Sequence, residues 1–124
     1  MLIRAKDAPQ FDDDAGTIAI GYASPSRGAS ETSVWRVSLE PGCESPVHRL
    51  EQEEVFMALA GTAVATVAGK DHQVGPDDCL IVDPGVDFQI RSTGEQPFRA
   101  VGCMPAGATV STADGGVFVP PWAS

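Results

Sequence analysis

Gly42-Cys43-Glu44-Ser45-Pro46-Val47-His48-Arg49-Leu50-Glu51-Gln52-Glu53-Glu54-Val55-Phe56-Met57-Ala58-Leu59-Ala60-Gly61 decides how this chain folds. It reads as two strands, residues 47–50 and 54–59, bracketed by glycines. Side chains alternate across a strand, so His48 and Leu50 share one face, and Glu54, Phe56 and Ala58 share one face of the next. Residues 55–59 are apolar without alternation, which implies cover on both faces. A second sheet or a partner subunit would supply the outer cover.

The rest of the chain repeats the pattern. Residues 17–22 read as a strand, and the Ser/Gly/Pro-rich stretch 24–31 as a mobile loop. In the strand 33–40, Val34, Arg36 and Ser38 face one way, and Trp35, Val37 and Leu39 the other. Strands follow at 62–67 and 72–74, joined by a hairpin at Ala68-Gly69-Lys70-Asp71. Residues 79–82 read as a buried strand, 87–91 as another, and 98–104 as the last. No stretch has a clean helical period, and no repeat is visible. Short strands between Gly/Pro turns, from a chain with 13 glycines and 10 prolines, indicate an all-β sandwich or barrel.

The 124 residues suffice for one domain. A formal charge of −9, from 17 acidic and 8 basic residues, argues against nucleic acid or an anionic membrane as the main partner. No apolar run approaches the roughly 20 residues of a membrane span, and no signal peptide is readable. Three cysteines without a CxxC pair fit a reduced, cytoplasmic setting. Asp12-Asp13-Asp14 reads as a solvated acidic turn, because the glycine and distal glutamate of a calcium loop are missing. His72 reads as a surface residue, and Trp122 as the cap of a hydrophobic patch.

The opening stretch resembles the first motif of the cupin superfamily: Gly, five residues, His-x-His, three or four residues, Glu, six residues, Gly. Gly42, His48, Glu54 and Gly61 match in identity and spacing, while Leu50 stands where the second histidine belongs. In the second motif only Gly85 matches. Asp77 replaces a glycine, Asp83 the proline, Phe88 the histidine and Ser92 the asparagine. The resemblance covers about residues 34–105. It implies a cupin-like jelly-roll β-barrel, with a core at 33–105 and arms at 1–32 and 106–124.

A typical cupin holds a divalent metal with three histidines and one glutamate. Two of those ligands survive here, so the resemblance implies a degenerate metal site. No cofactor is expected. A divalent transition metal, if bound, would sit on His48 and Glu54, with Cys79, Cys103 or His72 as substitute donors. Without metal, a carboxylate beside an imidazole in an apolar pocket suits general acid–base catalysis. The expected catalytic residues are therefore His48 and Glu54, with Leu50, Phe56, Phe88, Cys103 and Arg36 binding substrate. The implied function is a metal-independent isomerase, cyclase or lyase acting on a small organic molecule in a bacterial secondary-metabolite pathway. Two alternatives stay open: a metal-dependent, dioxygenase-like cupin, and a non-catalytic ligand-binding or sensor module. A homodimer is expected, since cupins commonly pair and Val55, Met57 and Leu59 need cover.

Overall fold

The computed structural model describes residues 1–124. Twelve strands and three short 3-10 turns make up the chain. The strands are β1 (Gln10–Asp12), β2 (Thr17–Ala23), β3 (Thr32–Leu39), β4 (His48–Leu50), β5 (Glu54–Ala60) and β6 (Ala63–Val67). They continue with β7 (Lys70–Val74), β8 (Cys79–Val82), β9 (Phe88–Ser92), β10 (Phe98–Pro105), β11 (Val110–Thr112) and β12 (Val117–Phe118). They form two antiparallel six-stranded sheets, ordered β1-β2-β3-β10-β5-β8 and β12-β11-β4-β9-β6-β7, packed as a jelly-roll sandwich.

Alternation sets which side chains meet between the sheets. Along β3, Ser33, Trp35 and Leu39 are buried, and along β10 so are Phe98, Ala100, Gly102 and Met104. These join Leu50, Phe56, Ala58, Ala63, Ala65, Val82, Phe88 and Ile90 in a single core drawn from both sheets. The β6–β7 hairpin falls where the sequence places it. Ala68 and Gly69 both adopt positive φ, 50° and 78°, the pair a two-residue turn between Val67 and Lys70 requires.

Three features differ from the sequence reading. Strand β8 is not buried: Cys79 and Ile81 face solvent because β8 ends its sheet and turns one face outward. The stretch 24–31 is held in place rather than loose. Ser24 is fully buried, its carbonyl accepts from Arg27 N at 3.0 Å, and the Arg27 guanidinium donates to the Trp122 carbonyl at 2.6 Å. The flanking segments also enter the sheets: besides β2, which the sequence reads as a strand, β1 joins the first sheet and β11 and β12 the second.

Candidate functional site

Between the sheets lies a cavity of about 620 Å3. Its deep wall is a run of rings that crosses from one sheet to the other. Trp35 on β3 meets Phe56 on β5 edge-on, with centroids 6.1 Å apart and planes at 85°. Phe56 meets Phe88 on β9 at 6.0 Å, and Phe88 meets the His48 imidazole on β4 at 4.2 Å. His48 and Phe88 are cross-strand partners, which fixes that last contact. Gly102 lies opposite both Trp35 and Phe56 in the register. A Cβ there would come within 2.5 Å of the indole, so only glycine lets Trp35 lie this close to the sheet.

Glu54 opens β5 and faces this wall. Its side chain is 4% exposed, and Oε1 has no hydrogen-bond partner. Burial pushes its carboxyl up to about 8, so the group is mostly protonated at neutral pH. His48 is shifted the opposite way. Burial pulls it below its ordinary value, partly offset by a 2.7 Å hydrogen bond at Nδ1 to the Pro46 carbonyl. A carbonyl only accepts, so Nδ1 carries the proton and Nε2 keeps the lone pair.

The two groups are thus arranged differently from the sequence expectation. No hydrogen bond or ion pair joins them, and the Pro46 carbonyl, not Glu54, orients the imidazole. A neutral acid on one sheet and a neutral base on the other line the same cavity.

Of the expected substrate-binding residues, Phe56 and Phe88 line the cavity. Leu50, Arg36 and Cys103 do not. Leu50 shares an inward face with His48, but it is packed into the closed part of the core. Arg36 and Cys103 alternate with the inward residues Trp35, Gly102 and Met104, and so fall on the outer face of the first sheet. Burial, then the charges of Cys79 and Glu54, push the Cys103 thiol up, which makes it a poorer nucleophile at neutral pH.

The remaining lining residues were not singled out by sequence. Phe11 and Trp122, 6.5 Å apart at 61°, bring the two chain ends together beside the opening. Phe98 and Phe118 complete the aromatic lining. The C-terminal tail is fastened by the Arg27–Trp122 bond and by Ser33 Oγ donating to the Ala123 carbonyl at 2.8 Å. The exposed lining residues, which form the rim, include Asp12, Asp13, Glu44, Pro46 and Phe118.

The donor set does not suit a transition metal. No group of three or more His, Cys, Asp or Glu side chains converges anywhere in the chain. His72 and Cys79 are exposed on other strands and Cys103 faces outward, so none supplies a substitute ligand beside His48 and Glu54. Mononuclear sites with open positions usually keep three protein ligands.

Residues 35–103, more than half of the chain, match the family model described as "Cupin domain". Among solved structures, the chain is similar to the polyketide cyclase RemF from Streptomyces resistomycificus. The TM-score is 0.77 at 16% identity, covering 98% of this chain and 87% of that one. It is also similar to an RmlC-like cupin from Shewanella frigidimarina, with TM-score 0.73 at 15% identity and coverage of 85% and 89%. KdgF from Halomonas sp. gives TM-score 0.72 at 11% identity, covering 85% and 93%. No curated protein matches the sequence.

Proposed function

Because the chain belongs to the cupin family, we propose that it binds a small organic molecule in its cavity and moves a proton on it without a metal. The reaction class would be isomerisation, cyclisation or elimination. The observation that carries this reading is the Glu54 carboxyl, buried at an aromatic wall with an oxygen that nothing in the protein satisfies. An unsatisfied buried polar group costs about 1–3 kcal/mol, a burden expected where the group serves chemistry. The polyketide cyclase among the similar structures is in keeping with this class of reaction.

The protonation states define the step. The Glu54 hydroxyl donates its proton to a carbonyl oxygen of the ligand. His48 Nε2 takes the proton from the adjacent carbon, and an enol forms. Once the His48 imidazolium has traded its proton with solvent, protonation of that carbon gives exchange. Protonation of a conjugated carbon gives isomerisation, and attack of the enol carbon on a second carbonyl gives ring closure. Water is kept from the reacting atoms by Trp35, Phe56 and Phe88, and the carbonyl of Pro46 steadies the imidazolium that forms.

Deuterium exchange into 2-tetralone, a ring ketone with acidic α-hydrogens, tests this. The wild type should accelerate exchange over buffer, and Glu54→Gln or His48→Ala should slow it about 100-fold or more. Exchange unchanged in both variants, or no acceleration by the wild type, would contradict the acid–base role.

The chain is also proposed to pair with a copy of itself. Met57, Leu59 and Ile81, on the outer face of β5 and β8, are 38%, 45% and 59% exposed, an apolar stripe that a second copy would cover. Sedimentation at micromolar concentration should give a dimer's mass, and Met57→Lys with Leu59→Lys a monomer's.

A further inference from the structure

All five phenylalanines and both tryptophans of this chain line the one cavity, and Tyr22 is the single aromatic residue elsewhere. Trp35, Phe56, Phe88 and Phe98 belong to the core as well, but Phe11, Phe118 and Trp122 lie outside the buried core and reach the same cavity from the terminal segments. Ring faces and edges favour offset or tilted contact with another flat ring, beyond the area they bury. The charges on the lining are equally one-sided. Four acidic residues border the cavity, Asp12, Asp13 and Glu44 at the rim and Glu54 within, while none of the eight lysines and arginines does. The ion pair Arg49–Asp87 neutralises one of those cations, and both of its side chains are half-exposed and lie outside the cavity. A carboxylate or phosphate entering here would lose its water against hydrocarbon, meet no guanidinium or ammonium, and pass three carboxylates on the way.

From these two features together we infer that the cavity selects a flat-ringed organic molecule that carries no carboxylate or phosphate group. The inference rests on the cavity being the ligand site proposed above, and it narrows the substrate to neutral ring ketones, phenols and related compounds. A reaction that supplies such a substrate must already have removed or masked any acid group on it.

Calorimetric titration of the wild type with three matched probes tests the selection without relying on turnover. 2-Naphthol is flat and uncharged, 2-naphthoate is flat and anionic, and decahydro-2-naphthol keeps the hydroxyl but not the flat rings. 2-Naphthol should bind at least about tenfold more tightly than 2-naphthoate, and more tightly than the saturated alcohol. In Glu44→Lys, whose change lies at the exposed rim, 2-naphthoate should gain about two- to fivefold while 2-naphthol is unchanged. Equal or tighter binding of 2-naphthoate by the wild type would overturn the charge selection. Equal binding of decahydro-2-naphthol would overturn the preference for flat rings. If none of the three binds, the cavity is not the ligand site and the inference falls with it. Loss of the acid–base role alone, seen as unchanged exchange in Glu54→Gln, leaves the binding order intact and is thereby distinguished.

Discussion

Ala58, Ala63, Ala65 and Ala100 close one part of the space between the two sheets, whereas Trp35, Phe56 and Phe88 border a hollow in the other. Small residues on facing strands let neighbouring side chains interdigitate until no room is left. The rings do the reverse. Together with the His48 imidazole they are braced against one another at 4.2–6.1 Å from both sheets, and rigid planes held this way cannot fold inward to fill the gap. Burial is similar in the two parts, but its purpose differs. The alanine part leaves no space between the sheets, and the aromatic part gives up packing for a hollow with one unsatisfied acid.

The comparison can be broken at its most costly point first. Replacing the buried acid, Glu54→Met, should stabilise the fold by about 1–3 kcal/mol at pH 8. The sign follows from linkage. The folded-state carboxyl sits at about 8, above its ordinary 4.5, so its contribution is fully present below 4.5 and is lost as pH rises through 8. His48, shifted down, contributes in the opposite sense, with its stabilisation present above 6.5 and lost as pH falls. Urea melts from pH 4.5 to 8 should therefore show wild-type stability falling relative to Glu54→Met, and parallel curves would contradict the buried acid.

A smaller effect, with opposite signs in the two parts, is expected from one substitution made twice. Ala65→Leu adds carbon atoms where the core is already closed, and should cost about 1–3 kcal/mol. Ala19 is just as buried but borders the hollow. Ala19→Leu should leave the melting temperature unchanged or raise it, because the new side chain has space, and should weaken 2-naphthol binding. Equal destabilisation by both would mean that the two parts do not differ in packing.

Much of this arrangement was legible in the sequence, for reasons particular to its elements. The strands from 33 to 104 announce themselves by alternation and Gly/Pro turns. The spacing Gly42, His48, Glu54, Gly61 carries the family, parity groups His48 with Leu50 and Glu54 with Phe56 and Ala58, and the family resemblance turns both faces inward. What the sequence hid depends on three-dimensional closure. Cys103 and Arg36 looked like site residues until the register set Trp35 and Gly102 on the inner face instead. Phe11, Phe118 and Trp122 lie in short or Pro-rich segments with no period to read, and they reach the cavity only because β1, β12 and the C-terminal turn close over it. The partner of the His48 ring was likewise invisible. A backbone carbonyl two residues away has no signature in side-chain spacing, whereas Glu54, the obvious candidate, makes no bond to it. Asp77, which stands where the family motif carries a glycine, adopts a left-handed backbone, φ 70°, a conformation that glycine takes most readily and Asp tolerates.

The central claim is that Glu54 is a neutral acid at physiological pH, held so by the aromatic wall around it. Titration of the carboxyl carbon of Glu54 by 13C NMR in the wild-type protein measures this directly. A midpoint near 8 is the predicted result, and a midpoint near the ordinary 4.5 would contradict the account.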